Sequence, residues 1–372
     1  MKKISSFLFY FVLIIVLASC NAEVNENGSP NGNREPQSTG EGNPQPYVKG
    51  VKDVDVLNTH GGIDGIERMQ RFYKDMKSGV PSDLRIVFYT IEGDPIVKDL
   101  KFDGESLEVK TDNTRDAYGS GEIQTINCGQ LIEEVNPTNT SFIATDCKEG
   151  PYGMEEIIEI EYNMSQQDLF EINLKYGENL ENEINTKTNE VIKENGTTES
   201  FQMAENVKQE LYKKLVFANY LGEKELVTTC DRPNAIQYNL MVYINGGQQE
   251  LTWKQCDESL DGLKFSEIAN YIIAQSEQEQ AENPEVIVQG YVLERKDNNL
   301  LIGEELNKLD YEWMKDEIKQ MDLNSFVFDF TELEGVAVED YQLGDKIRAT
   351  IDGTIIGSKP GKAKVKEIEK IK

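Results

Sequence analysis

Histidine is almost missing. The 372 residues contain one, His60, which excludes a multi-histidine metal centre or a two-histidine acid–base scheme within one chain. Basic residues are also scarce: Lys and Arg number 38 against 67 Asp and Glu, a formal charge of −29. That balance excludes a nucleic-acid binder working through a broad basic surface. Apolar residues make up only 38%. The long apolar run, Phe7 to Leu17, is about half the length of a spanning helix, so a multi-span membrane protein is excluded too. There are five cysteines, Cys20, Cys128, Cys147, Cys230 and Cys256. No two have the C-x-x-C spacing that favours zinc, the rival to disulfides. A catalytic thiol among them would need His60 as its base.

What is present begins at the N-terminus. Lys2 and Lys3 precede the apolar run and small residues follow it, the order of an export signal. The run ends Leu17-Ala18-Ser19-Cys20, which resembles the lipobox of bacterial lipoproteins. In that family the cysteine thiol is diacylglycerylated and the peptide is cut just before it. The resemblance implies a signal peptide over residues 1–19 and a lipid on Cys20 that holds the protein on the extracytoplasmic face of the cell membrane. The alternative is a plain signal peptide with a chance cysteine. Acyl chains contribute ~0.8 kcal/mol per buried methylene, so two of them anchor durably. Residues 20–50 are expected to form the anchor and a disordered linker, because Asn21 to Tyr47 is rich in Asn, Gly, Pro, Glu and Ser without apolar periodicity. About 27 flexible residues reach roughly 30 Å. An acidic body on such a tether should stand off an anionic lipid surface.

With Cys20 lipidated, the remaining cysteines are even in number, and an exported chain is expected to oxidise them. Three connectivities are possible. The local one, Cys128 with Cys147 and Cys230 with Cys256, is favoured because each pair lies within one apparent domain. Each bridge would contribute roughly 3 kcal/mol by constraining the unfolded chain.

The fold class expected is α+β and multidomain: two α+β domains with antiparallel sheets over 51–150 and 151–280, then a small OB-like β-barrel over 285–372. In the first, Ile63, Ile66, Met69, Tyr73 and Met76 have helical spacing, with Gly79 placed to end the helix. Leu84 to Thr90 has strand chemistry, and Ile96 to Phe102 with Leu107 to Lys110 makes a hairpin around Asp103-Gly104. In the second, Ile157 to Tyr162 and Leu169 to Tyr176 read as strands. Ser200 is a candidate cap for a helix carrying Val207, Leu211, Leu215 and Ala218, and Ser266 for one carrying Ile268, Tyr271 and Ile272. Between them, Tyr238 to Ile244 and Gln248 to Lys254 flank the turn Asn245-Gly246-Gly247. Gln275 to Pro284 reads as a linker. In the third, strands are expected at Val286–Glu294, Leu300–Gly303, Ser325–Phe330, Lys346–Ile351 and Ala363–Ile368, with a helix over Tyr311–Met321.

Two resemblances rest on particular residues. His60-Gly61-Gly62-Ile63, Tyr89-Thr90-Ile91-Glu92-Gly93-Asp94-Pro95-Ile96, Asp112-Asn113-Thr114-Arg115-Asp116 and the pair Cys128 and Cys147 resemble the family called domain of unknown function 4362. That family occurs in lipoproteins and secreted proteins of Gram-positive bacteria. Val288-Gln289-Gly290-Tyr291-Val292, Leu343-Gly344-Asp345-Lys346-Ile347 and Ser358-Lys359-Pro360-Gly361-Lys362-Ala363 resemble domain of unknown function 3221, which implies an OB-like barrel. Neither family has an established activity, so neither implies catalytic residues.

The candidate site residues are few. His60 before a helix suits a general base or ligand, or simply a hydrogen-bonding turn. Asp112, Asn113, Asp116 and Glu122 offer oxygen ligands for calcium, but not at EF-hand spacing; Arg115 beside them suits a local ion pair. Glu92 and Asp94 suit a glycosidase carboxylate pair or a tight turn. Trp253 is expected to pack near the Cys256 disulfide and Trp313 in a core. Arg348, Lys359, Lys362, Lys364 and Lys366 form a basic end, but the acidic whole argues against nucleic acid. No cofactor is called for. The leading expectation is a non-catalytic envelope protein that binds a protein, peptide or cell-wall ligand. The rivals are a carboxylate-dependent cell-wall or glycan hydrolase and a calcium-dependent adhesion module.

Overall fold

A computed structural model describes residues 48, 50–59, 62–278 and 285–371. The export signal, Cys20, His60 and residues 279–284 of the expected linker lie outside the described residues. Among those described, four α-helices accompany sheets that are almost wholly antiparallel, an α+β arrangement.

The chain enters through β1 (Val56–Thr59) and β2 (Gly62–Asp64), then α1 (Ile66–Lys77). Strands β3 (Ser82–Tyr89), β4 (Pro95–Phe102), β5 (Leu107–Asp112) and β6 (Ile123–Cys128) follow. They form one six-stranded sheet, β2-β1-β3-β4-β5-β6, in which only β1 and β3 are parallel. Helix α1 lays Ile66, Met69 and Phe72 on the core. It begins after Gly65, so Ile63 belongs to β2 and not to the helix as its spacing suggested. Gly65 has φ +77°, and a Cβ there would stand 2.0 Å from the Asp55 carbonyl oxygen, so glycine alone permits this entry.

A three-stranded sheet comes next: β7 (Gln130–Val135), β8 (Asn139–Thr145) and β9 (Met154–Glu161). Residue 150, the expected domain boundary, falls between β8 and β9 of this sheet. A second six-stranded sheet takes β10 (Phe170–Gly177), β11 (Asn182–Asn185), β12 (Glu190–Ile192), β13 (Thr198–Ser200), β14 (Gln237–Ile244) and β15 (Gly247–Lys254), in the order β13-β12-β11-β10-β14-β15. Helices α2 (Glu205–Phe217) and α3 (Leu260–Glu277) accompany it. One apolar core joins all of this, from Val56 through Phe142 to Ile272. Two expected caps move. Ser200 pairs with Glu190 in the sheet and α2 starts after Ala204. Ser259 caps α3 by accepting the Gly262 N–H at 3.0 Å.

The last module is β16 (Val286–Lys296), β17 (Asn299–Glu304), α4 (Lys308–Glu317), β18 (Phe330–Glu334), β19 (Lys346–Ile351) and β20 (Gly361–Ile371). Its strands close as β16-β17-β18-β20-β19 around Val288, Val292, Leu300, Ile302, Leu333 and Ile347. The third strand differs from expectation. Ser325 lies in a 3-10 turn, and pairing starts at Phe330, opposite Gly303. Helix α4 starts earlier than expected, at a capping box made by Asn307 and Asp310. Gly290 shows why the barrel closes here: a Cβ on it would stand 2.1 Å from the Gly303 carbonyl oxygen.

Candidate functional site

A cleft of about 380 Å³ opens where α1, α2 and α3 meet β7 and β8. Each element contributes one face. On α2 the residues are Glu210, Lys213, Lys214 and Phe217, spaced i, i+3, i+4, i+7, while Leu211 and Leu215 turn to the core. On α3 they are Lys264, Glu267 and Ile268; on α1, Ile66, Glu67 and Gln70. Strand alternation sends Glu133 and Val135 of β7 into the cleft and Glu134 to the opposite side.

The floor is partly apolar, from Ile66, Phe217, Ala218 and Ile268. Most charges on the rim are paired. Lys264 Nζ lies 3.1 Å from Glu67, and Lys214 Nζ lies 3.1 Å from Glu267 and 3.8 Å from Glu210. Burial pushes the Glu67 carboxyl up, but Lys264, a backbone N–H and Arg68 together hold the group below its ordinary value. Glu133 and Lys213 are different. Burial raises the Glu133 carboxyl, which Lys213 only partly offsets. Lys213 itself lies over the Tyr162 ring, 5.2 Å from its centroid.

The β7–β8 turn holds the cleft in place. The Tyr162 hydroxyl sits 2.6 Å from the Asn139 carbonyl oxygen and 2.8 Å from Thr140 Oγ1. Gln209 of α2 donates to the Tyr162 carbonyl at 2.7 Å and accepts from the Met164 N–H at 3.0 Å. The same turn docks the barrel on its other side. Gln289 donates to the Val135 carbonyl at 2.8 Å, and Asn136 donates to the Glu305 carbonyl at 2.9 Å. Thr138 donates to the Glu305 carboxylate. Glu134, almost fully buried, accepts from the Tyr291 hydroxyl and the Lys308 N–H, with Lys346 Nζ 3.6 Å away. Two carboxyls along this seam, Glu159 and Glu305, are pushed up to about 7, first by burial and then by neighbouring acids.

The residues singled out in the sequence are scattered over other places. The structure bonds Cys128 to Cys147 and Cys230 to Cys256. Asp94 accepts from the Ala117 N–H at 2.9 Å and belongs, with Glu92, to the turn between β3 and β4. Asp112 is occupied by Thr114 and by Arg115, 2.7 Å away, and these hold its carboxyl at about 2. Among the described residues no group of three or more His, Cys, Asp or Glu is arranged to hold a metal ion. Trp253 is buried, stacks on Tyr238 at 5.0 Å and donates to Ser266 at 3.0 Å. Trp313 is 38% exposed and meets Phe326 edge-on, so it lies outside the core where it was expected. Each basic residue of the C-terminal end has a partner in its own barrel: Arg348 with Glu369, Lys359 with the Phe326 carbonyl, Lys362 with Glu332, Lys364 with Asp352 and Lys366 with Glu285.

The cleft and the seam were missed in the sequence because their charged residues read as ordinary solvated faces. The usable signal was the alternation in Val288-Gln289-Gly290-Tyr291-Val292. Val288 and Val292 fill the barrel, which leaves Gln289 and Tyr291 as buried polar groups on the outer face.

Comparison with known proteins matches only parts of the chain. No curated protein matches it. Among solved structures it is similar to the crystal structure of a yobA protein from Bacillus subtilis subsp. subtilis strain 168. The two are 19% identical over 25% of this chain and 100% of that one, with a TM-score of 0.20. It is also similar to the NMR solution structure of Bacillus subtilis YobA 21–120, 18% identical over 26% of this chain and 92% of that one, with a TM-score of 0.19. Residues 53–142 match the family described as Domain of unknown function (DUF4362), and residues 289–372 the family described as Protein of unknown function (DUF3221).

Proposed function

We propose that the protein is an exported lipoprotein of the Gram-positive envelope, held on the extracytoplasmic face of the cell membrane through Cys20, and that it binds a ligand without transforming it. The observation that carries the binding role is the cleft. It is concave, partly apolar and bears a few charged groups, the usual make-up of a ligand site. Two disulfides in the folded body support an oxidising compartment. The five basic residues of the C-terminal end have internal partners, which supports a role away from nucleic acid. The strand order, first-second-third-fifth-fourth with the third and fifth parallel, supports reading the barrel as OB-like.

The test places a photoreactive residue at Gln70, on the cleft wall, and irradiates intact cells. The expected result is an adduct with an envelope component, reduced when bulk is added at Ala218 on the floor. The purified protein is screened in parallel on peptidoglycan and glycans. Turnover that disappears in Glu92→Gln or Asp94→Asn would replace the binding reading with the hydrolase.

A further inference from the structure

We infer that the ligand of this cleft is a short peptide with a free amino end and a free carboxyl end, held between Glu133 and Lys213. The inference deepens the binding role proposed above and rests on it.

Most charges in the cleft are already answered. Glu67, Glu210 and Glu267 have lysine partners within the site, and Lys214 and Lys264 have carboxylates. Glu133 and Lys213 share the same cavity without an ion pair closer than 4 Å. Both side chains are half-buried. A half-buried carboxylate with no hydrogen-bond donor is poorly solvated, and burial indeed raises Glu133. Lys213 has the Tyr162 ring beside it, which stabilises a cation but leaves its three donors for a ligand.

The cleft therefore offers one acceptor of positive charge and one donor to negative charge, over an apolar floor of Phe217, Ala218 and Ile268. Gln70 adds an exposed amide on the wall, able to meet a peptide group. A ligand of one charge would satisfy one residue and be repelled by the other. A neutral glycan could hydrogen-bond to both through its hydroxyls but would neutralise neither charge. A zwitterion with a small apolar body satisfies both, and a short peptide is the simplest molecule with that layout. The volume, about 380 Å³, is at the small end of ligand sites, which suits a few residues rather than a long chain.

The experiment is calorimetric titration of the full-length chain in detergent with Ala-Ala-Ala, its N-acetyl form and its C-terminal amide. Binding of the free tripeptide is expected, weakened about tenfold or more by blocking either end, since a hydrogen bond to a charged group supplies at least that factor. In Glu133→Gln acetylation should cease to matter while amidation still does. In Lys213→Met the pattern should reverse. Equal affinity for all three peptides, or the same end-dependence in both variants, overturns the inference. So does no heat with any peptide at millimolar concentration. In that last case the Gln70 crosslink separates the two levels. An envelope adduct in cells means that a ligand of another chemistry occupies the cleft, whereas silence in both experiments takes the binding role down as well.

Discussion

Replacing Lys346 with methionine would leave Glu134 charged and buried at the seam between β7 and the barrel. The two groups are 3.6 Å apart, with side chains 5% and 8% exposed. At an effective dielectric near 20 their attraction is roughly 4–5 kcal/mol, set against the cost of desolvating both. Removing one partner of a buried pair typically destabilises by about 3–5 kcal/mol. The lower end applies here, because Glu134 keeps the Tyr291 hydroxyl and the Lys308 N–H. We expect Lys346→Met to lower the opening free energy of the Gln289–Tyr291 amides by about 3 kcal/mol, read by native-state hydrogen exchange. Glu134→Gln should cost a similar amount. The double variant should cost clearly less than the sum, since no orphaned charge remains. Strictly additive effects, or a loss below about 1 kcal/mol in Lys346→Met, would refute the idea that this pair is a coupled contact of the seam.

Three further outcomes follow from the same geometry. Burial and neighbouring acids push the Glu159 and Glu305 carboxyls up to about 7, above the ordinary 4.5, so these two groups hold more protons in the folded state than in the unfolded chain between those limits; their contribution to stability is full below about 4.5 and is lost as pH rises to 7, and the urea midpoint of Glu159→Gln should vary less over that window. Phe142→Ala, at a fully buried position that meets Tyr73 edge-on, should cost about 3–5 kcal/mol and lower exchange protection in β4 and β14 together; loss in only one of them would contradict a shared core. Gly290→Ala forces a Cβ against the Gly303 carbonyl and should destabilise the barrel by about 3 kcal/mol, visible as faster exchange of β17.

Local chemistry made some of this legible. Asn245-Gly246 forms the two-residue turn between β14 and β15, with Ile244 opposite Gly247 and Asn245 at φ +49°, as the primed turns require. The spacing Ile66, Met69, Tyr73, Met76 located the core face of α1 despite its wrong start. Caps were harder, because a serine near a helix start has several uses. Ser200 pairs in a sheet and Ser266 accepts from Trp253, while the working cap, Ser259, stands about two turns earlier. Long-range features left almost no trace. Glu134 and Lys346 are more than two hundred positions apart, and nothing local distinguishes either from a surface charge. The double use of strand β7 left no local trace either: it places Glu133 in the cleft and Glu134 in the seam.

Where this body sits depends on Cys20. The most direct measurement is the intact mass of the protein extracted from the membrane fraction without reductant. The account predicts a chain that starts at Cys20, carries a diacylglyceryl group on that residue and has Cys128, Cys147, Cys230 and Cys256 oxidised in two bridges. An unmodified thiol at Cys20, or a fully reduced chain recovered from the cytosol, would contradict it.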